Sequence, residues 1–310
     1  MIRAGDYYRL YERTVFSLSE LKSYIEAIQE FAESKNYRVF WRGQANFEWG
    51  LTSSLVRKLM IFGSVDDKLI NRIEDKILDE ASTWIQDFSN NNKYQYPLAK
   101  LAYLQHHKVP TRLIDFTSDP WIAVFFAAEG PENIDGRIFA IIVKDSDVLS
   151  QTPNGTPWRK YQIDEIKMFD PTQANIVFPR LKMQKGVLAL GRLPSTKPYR
   201  EAYDELLGKN RRLLAEEVRQ ILSIPFKLSP FNPTNNTSCI SSKAKPPIGI
   251  TFRLHVDKIS VRRDLAGTGL GRKVSPSNQK ITHQQVFPDV EGMVSHSTIL
   301  AGLEKGLLLI

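Results

Sequence analysis

Two short segments of the chain contain residue types that could perform chemistry, and the first is the run Phe-Trp-Arg-Gly-Gln at residues 40–44. An arginine presents a planar fork of N–H donors that can hold a phosphate through two hydrogen bonds. A glycine after it lets the backbone approach a ligand closely. Because Arg42 and Gly43 follow an aromatic run typical of a strand, we expect them at a strand end, facing an anionic ligand.

The second segment, residues 104–118, concentrates polar and charged side chains within thirteen positions: His106, His107, Thr111, Arg112, Asp115, Thr117 and Ser118. It lies between two apolar segments, where polar groups must be hydrogen-bonded if they are buried. Asp115 or Ser118 is also predicted to cap a helix that begins at Pro120. The two histidines do not predict a metal site, because adjacent helical side chains point in different directions and the other three His are distant in sequence.

Other common chemistries lack their motifs. The chain has no Gly-x-Ser-x-Gly elbow of a serine hydrolase. The glycine-rich basic stretch 267–273 has no strand and helix around it to make a phosphate-binding loop. Cys239 is the single cysteine, which excludes an intramolecular disulfide framework, and it has no recognisable catalytic partner.

Hydrophobic periodicity predicts the elements that position these residues. Ser17 and Glu20 have the spacing of a capping box. Helices are predicted at residues 17–35, 66–88, 97–104, 120–128 and 200–222, and strands at 37–41, 137–143, 182–190 and 248–256. The first strand is expected to stop at residues 42–44, and residues 148–158, 229–247 and 265–278 read as loops. Early helices and later strands without regular βαβ alternation predict an α+β fold.

Composition and charge restrict the function classes. A hydrophobic fraction of 42% excludes disorder as the dominant state. The longest apolar run, 121–128, is far shorter than the roughly 18–20 residues that span a bilayer, so no membrane association is predicted. Without the apolar core of a signal peptide, a cytoplasmic location is expected.

Residues 1–155 carry a net charge of −3 and residues 156–310 one of +11. This asymmetry indicates a polyanionic partner, or a basic surface that serves only solubility.

Several motifs, taken in order, resemble the FRG domain family, which is named for its Phe or Tyr, Arg and Gly motif. Trp41-Arg-Gly-Gln44 resembles the signature, with tryptophan in the aromatic place. The central block of the family resembles residues 104–107 and 109–117, followed by the helical stretch 123–127. Residues 183–187 (Met-Gln-Lys-Gly-Val) and 286–292 (Val-Phe-Pro-Asp-Val-Glu-Gly) resemble later elements of the family.

Because the motifs extend from residue 41 to 292, we expect one elaborated domain over residues 1–310. Residues 19–127 would hold the N-terminal helices and first two motifs, and 137–297 the strands, basic half and closing motif.

The motif order is also similar to the Arg-Ser-Glu class of ADP-ribosyltransferases, which implies a split β core with N-terminal helices packed around it. That class begins with an aromatic-Arg-Gly strand end, continues with Ser-Thr-Ser, and closes with a glutamate two residues after Glu or Gln. Here residues 41–43 and 116–118 would supply the first two elements. The third place holds Gln184-Lys-Gly186, so the usual catalytic glutamate is absent.

The resemblance implies NAD as the substrate and a role for each motif residue. Arg42 would anchor the pyrophosphate, and Gly43 would leave room for the nicotinamide amide. Gln44 and Arg112 are further candidates for NAD binding. Thr117 and Ser118 would orient the nicotinamide ribose or the flanking arginine. Bond cleavage would pass through an oxocarbenium-like state that a carboxylate stabilises. Candidates for that carboxylate are Asp115, Asp289 and Glu291; Gln184 could only orient by hydrogen bonds, and His107 could act as general base.

Two functions follow as hypotheses. The first is an intracellular ADP-ribosyltransferase toxin of phage defence that modifies nucleic acid, RNA in particular, and is neutralised by an antitoxin protein. The second is a non-catalytic FRG module that binds nucleic acid through the same arginine-containing cleft. For that module, Trp158 beside Arg159 could stack on a base, although it could equally pack a loop onto the core.

Overall fold

A computed structural model describes residues 2–176, 178–195, 201–204, 207–225, 227–231, 240, 245–267, 281–282 and 286. Its helices are α1 (Ala4–Tyr8), α2 (Leu18–Ser34), α3 (Ser54–Met60), α4 (Asp67–Trp84), α5 (Asp87–Asn90), α6 (Pro97–His106), α7 (Pro120–Ala128), α8 (Pro179–Met183), α9 (Ala215–Ile221) and α10 (Lys258–Leu265). Its strands are β1 (Arg13–Val15), β2 (Tyr37–Gln44), β3 (Ile114–Thr117), β4 (Gly136–Lys144), β5 (Val148–Leu149), β6 (Ile166–Phe169), β7 (Gly186–Gly191), β8 (Glu201–Asp204), β9 (Lys209–Arg212), β10 (Lys227–Leu228) and β11 (Ile248–Leu254).

Most of these strands form one mixed sheet. Its order is β1-β11-β4-β2-β3-β7-β6-β5, with β10 also paired to β11. The central pairs, from β11 to β6, are antiparallel, and the short strands at the ends pair in parallel. Together with the helices, this sheet makes the fold α+β, as the sequence predicts.

Strand β4 shows how the core is divided between the two faces of the sheet. Successive side chains of a strand point to opposite faces. Ile138, Ala140 and Ile142 pack in a core with α2, α7 and α10, whereas Phe139 and Ile141 pack in another with α1 and α9. Because both faces are covered, the strand is continuously apolar rather than alternating. A third cluster packs α4 and α6 against β6 and β7.

The strongest local sequence patterns correctly predict their elements. The Ser17 hydroxyl accepts a hydrogen bond from the Glu20 amide at the start of α2. Helix α7 has the predicted bounds. Its cap is Asp119 rather than Asp115 or Ser118, because Asp119 directly precedes Pro120, and its Oδ1 accepts from the Trp121 amide at 2.9 Å.

Other predicted elements are wrong in extent or type. Strand β2 continues through Gly43 to Gln44, because it pairs with β4 along its full length. Helix α4 ends at Trp84, since Ile85 is extended, and the short α5 follows. Residues 179–183 form α8, so β7 begins only at Gly186.

The predicted helix over residues 200–222 is wrong except at its C-terminal end. Residues 201–204 and 209–212 pair as the antiparallel hairpin β8–β9. Gly208 lies in the turn at φ +61°, a left-handed conformation that a helix does not accommodate. The helix of this region is therefore confined to Ala215–Ile221.

Candidate active site

The sheet opens between β2 and β3, and Arg42 lies at this opening. The two strands pair at the single register position of Trp41 with Thr117, whereas β2 pairs with β4 over eight positions. β3 instead pairs with β7 along all four of its residues. The strands therefore diverge from this position towards Arg42 on β2 and Asp115 on β3, which leaves a gap between them.

A pocket of about 310 Å³, here called the β2–β3 cleft, occupies this gap. It is lined by residues of β2, α6, β3, α7 and the region around α8: Trp41, Arg42, Gly43, Ala102, Gln105, His106, Lys108, Asp115, Phe116, Thr117, Phe126, Phe178, Arg180, Leu181, Gln184 and Leu188. Three residues from the three separate motifs, Arg42, Thr117 and Gln184, thus line one cleft.

The Arg42 guanidinium is half-buried and held from one side. Its Nη1 donates to the Asp115 carbonyl at 2.6 Å. Its Nε has no hydrogen-bond partner among the described residues. Burial lowers the pKa of Arg42, an effect that the Asp115 charge opposes. Even so, an arginine stays protonated at neutral pH. The side chain therefore brings an incompletely satisfied cation to the cleft.

A chain of hydrogen bonds positions the Asp115 carboxylate at the edge of the cleft. Gln105 Nε2 donates to Asp115 Oδ2 at 2.9 Å, and Gln105 Oε1 accepts from Thr111 Oγ1 at 2.6 Å. Both ends of the Gln105 amide are thereby fixed. The Asp115 side chain itself is exposed. It is the carboxylate that lines the cleft among the described residues.

Thr117 and Gln184 are joined by a hydrogen bond at the edge of the cleft. Thr117 Oγ1 donates to the Gln184 carbonyl at 2.7 Å and accepts from the Asp119 amide at 3.0 Å. Gln184 Nε2 donates to the Val286 carbonyl at 3.1 Å. The Thr117 hydroxyl therefore already ties the end of β3 to α8 and to the cap of α7.

Gly43 lines the cleft, but the backbone of helix α7 on its other side leaves no room for a side chain at this position. A Cβ at this position would lie 1.8 Å from the Ala123 carbonyl oxygen and 2.7 Å from the Ala127 amide nitrogen. Both atoms belong to the backbone of α7. The sequence hypothesis attributes the glycine to a close ligand, but the structure shows that it allows α7 to pack directly on β2.

The structure does not bring four of the proposed NAD-binding or catalytic residues to the cleft. The His107 ring packs 4.5 Å from that of Tyr103, and His106 lines the cleft instead. Ser118 is exposed outside the lining. Gln44 lines a neighbouring pocket. Arg112 is buried, since its Nε donates to Glu74 Oε2 at 2.5 Å. This ion pair commits the guanidinium to the core.

Some lining residues received no catalytic or binding role in the sequence hypothesis. His106 stacks on Phe178, with ring centroids 4.3 Å apart and nearly parallel planes. Arg180 and Lys108 also line the cleft, so three cationic side chains including Arg42 face one carboxylate. Gln105 and His106 belong to the central motif, but the sequence hypothesis gave the role of base to His107 and no role to Gln105. Arg180 stands in no recognisable motif, and only the fold brings it close.

The remaining hypotheses concern Trp158 and residues that the structure does not describe. Trp158 is fully buried and its Nε1 donates to Glu74 Oε1 at 3.2 Å, so it packs the core and cannot stack on a base. Asp289, Glu291, Cys239 and the stretch 268–273 lie outside the described residues. Within the described part of the chain, no three His, Cys, Asp or Glu side chains are grouped to hold a metal ion. No helix there is long and apolar enough to cross a membrane.

The fold and the site thus define the class of this protein: an α+β protein with a basic cleft where two strands of its sheet diverge. Residues 37–136 of the chain match the family model of the FRG domain. The matched stretch begins with β2 and ends with the first residue of β4. It contains Arg42, Asp115 and Thr117 but not Gln184. No curated protein and no solved structure matches the chain.

Proposed function

We propose that this protein is an ADP-ribosyltransferase that cleaves NAD and transfers ADP-ribose to nucleic acid, RNA in particular. The observation that carries the proposal is the meeting of Arg42, Thr117 and Gln184 in the β2–β3 cleft. These residues belong to three motifs that are distant in sequence. In the sequence, only the resemblance to the transferase motif order links them. Had they lain on separate faces, that resemblance would have had no common site.

The charge of the cleft suits the pyrophosphate of NAD. Arg42, Lys108 and Arg180 supply three positive charges against one carboxylate, that of Asp115, among the described lining residues. A guanidinium binds a phosphate group through parallel, charge-assisted hydrogen bonds. The Nε of Arg42 is buried and has no hydrogen-bond partner among the described residues, so the protein leaves this donor unsatisfied. In this proposal, Arg42 anchors the pyrophosphate while the nicotinamide ribose lies deeper in the cleft.

The chemical step breaks the bond between C1′ of the ribose and the nicotinamide nitrogen. The bonding electron pair leaves with nicotinamide, which departs neutral, and positive charge develops on the ribose. Asp115 stabilises this charge in place of the absent glutamate, and Gln105 holds its carboxylate in position. The acceptor then forms a bond to C1′ and gives its proton to a base. His106 lines the cleft and takes this role in place of His107.

The test uses NAD labelled in its adenylate half, incubated with the protein and with RNA, DNA or cell extract. Release of nicotinamide and transfer of label to RNA are expected. Arg42→Lys keeps one positive charge but loses the fork, and should lower kcat/KM by at least about tenfold, as for a lost charged hydrogen bond. Arg38→Lys is the matched control, because Arg38 lies on the same strand and pairs with Asp145 away from the cleft. Neither NAD loss nor label transfer by the wild type would refute the enzyme proposal.

A second candidate function is a non-catalytic module that binds nucleic acid. Gln184 at the place of the usual glutamate is the observation that favours it. The NAD assay separates the two functions, because the module would leave NAD unchanged while it still binds RNA with a steep salt dependence.

The cellular role that accompanies the transferase proposal is a cytoplasmic toxin of phage defence, controlled by an antitoxin protein. Induced expression of the wild type should then arrest growth, whereas Arg42→Lys should be tolerated. Growth arrest by both proteins to the same degree would contradict this role for the NAD reaction.

A further inference from the structure

A second, larger pocket of about 920 Å³ adjoins the β2–β3 cleft and shares Arg42, Gly43 and Phe126 with it. We call it the Trp49 pocket. It lies between α1, the end of β2, the loop 45–50 and α3, and is lined by Arg3, Ala4, Arg42, Gly43, Gln44, Ala45, Asn46, Glu48, Trp49, Gly50, Thr52, Arg57, Met60, Phe126, Glu129 and Gln220. Its volume is that of a typical small-molecule site.

Trp49 is an exposed aromatic side chain at this pocket, with 55% of its surface accessible. A single exposed apolar residue is ordinary. Trp49 differs because its indole lines a concave site that also contains arginines. An indole face next to cationic side chains suits a heteroaromatic ring that carries a phosphate.

Gln44 supplies a buried hydrogen-bond acceptor in the same pocket. It is 95% buried, and its Nε2 donates to the Gly50 carbonyl at 3.2 Å. Its Oε1 has no hydrogen-bond partner among the described residues. A buried acceptor without a partner costs free energy, so a ligand N–H at this point would be favoured. Amino groups of nucleobases are donors of this kind.

The cationic part of the pocket comes from Arg42 and Arg57. Arg57 lines the pocket, and its Nη1 donates to the Thr52 carbonyl, which restrains the guanidinium. Of the two acidic residues in the lining, Glu48 is paired with Arg3 at 3.2 Å. Burial raises the pKa of the other, Glu129. Arg3 therefore offsets the charge of Glu48, and Arg42 and Arg57 bring two positive charges against the remaining acid, Glu129.

The loop that carries Trp49 is fixed from both sides before any ligand binds. On one side, the Phe47 amide donates to the Asp135 carbonyl at 2.9 Å, and Lys258 Nζ donates to the Ala45 carbonyl at 2.8 Å. On the other side, the Leu51 amide donates to the Ile221 carbonyl at 2.8 Å. Gly50 permits this approach, since a Cβ there would lie 1.8 Å from the Gln220 carbonyl oxygen. A site held in this way loses little entropy when it binds.

We infer that the Trp49 pocket binds a nucleotide: Trp49 stacks on the base, Gln44 accepts from a base amino group, and Arg57 with Arg42 contacts the phosphate. Two sources share this chemistry. One is the adenylate half of NAD, reached past Arg42 from the β2–β3 cleft, and the other is a nucleotide of the RNA acceptor. The choice between these sources rests on the proposed transferase function, whereas nucleotide binding itself does not.

The experiment measures equilibrium binding of radiolabelled AMP to the full chain by dialysis, without turnover. Trp49→Ala should weaken AMP binding by about tenfold or more, the usual effect of removing a stacking platform. Trp84→Ala is the matched control, because Trp84 is 80% exposed and lies outside this pocket. The purine ribonucleoside monophosphate that lacks the 6-amino group should bind several-fold more weakly than AMP, because it cannot donate to Gln44.

Competition identifies the source of the nucleotide. If unlabelled NAD displaces AMP and Trp49→Ala weakens NAD binding equally, the pocket holds the adenylate half of NAD. If AMP and a short single-stranded RNA compete with each other but not with NAD, it holds the acceptor nucleotide. Equal AMP affinity in Trp49→Ala and Trp84→Ala, or no AMP binding by the wild type, would overturn the inference. Failure of NAD turnover alone would refute only the transferase proposal.

Discussion

Replacing Gly43 with alanine tests whether this motif glycine serves packing or ligand binding. The added Cβ would lie 1.8 Å from the Ala123 carbonyl oxygen, where van der Waals contact requires well over 3 Å. The obstructing atoms belong to the α7 backbone, so no side-chain rotation relieves the contact. Helix α7 would have to move away from β2 by about 1.5 Å, an estimate from the contact distances of close-packed atoms.

The surroundings of α7 make such a movement costly. Eight of its nine residues are buried. On the neighbouring strand β4, a Cβ at Gly136 would lie 2.2 Å from the Ala127 carbonyl oxygen, so the helix rests on two glycines. Overpacking a core costs about 1–3 kcal/mol. Because both sides of this contact are backbone, we expect the upper end, about 3 kcal/mol.

The measurement is thermal unfolding, with urea unfolding as a second probe. For a chain of this size, about 3 kcal/mol corresponds to a fall in Tm of about 5 °C. Gly155→Ala is the control, since nothing lies within 4 Å of its Cβ position and only its left-handed φ of +65° is strained. That strain costs about 1–2 kcal/mol. If Gly43→Ala is as stable as Gly155→Ala but loses NAD binding, the glycine serves the ligand and our packing argument is refuted.

Two further predictions concern buried charges. Hydrogen bonds from Arg211 lower the pKa of Glu217 from 4.5 to about 2. The ionised carboxylate therefore stabilises the folded protein above pH 4.5, and this stabilisation is lost as the pH falls towards 2. Urea titrations should show a loss of about 2–3 kcal/mol over this interval that Glu217→Gln no longer shows; an unchanged pH profile in the variant would contradict the assignment. Glu74→Gln leaves Arg112 buried without its counterion and should cost about 3–5 kcal/mol in the same assay. Asp75→Asn should cost less than about 1 kcal/mol, because that carboxylate is exposed. Similar losses of stability in both variants would contradict the prediction that burial makes the Glu74–Arg112 pair more costly to break.

Much of the fold near the site could be predicted because its determinants are local. The Ser17 cap and the apolar stripe of α2 involve residues three or four positions apart. The continuous apolar run of α7 and the buried strand β4 are equally visible in the sequence. Prediction failed at residues 201–212, where a hairpin replaces a helix, because strand pairing depends on partners that a helical window does not include.

The candidate site divides in the same way. The sequence selected Arg42, Asp115, Thr117 and Gln184 as motif residues, and all four line the β2–β3 cleft. It could not tell that His106 rather than His107 faces this cleft, because the end of α6 and its contact with Phe178 decide the direction of each ring. It also had no means of placing Arg180 there.

By itself, the sequence determined the FRG motifs, the main helices and strands around them, and the residue types available for binding an anion. The tertiary structure decided how those residues are used. Arg112 is committed to Glu74, which lies 38 positions away, and Gly43 is required by a helix 80 positions further along the chain. Such roles depend on distances between segments that only packing brings together. For the same reason, the divergence of β2 from β3, which creates the cleft, is a property of the folded sheet.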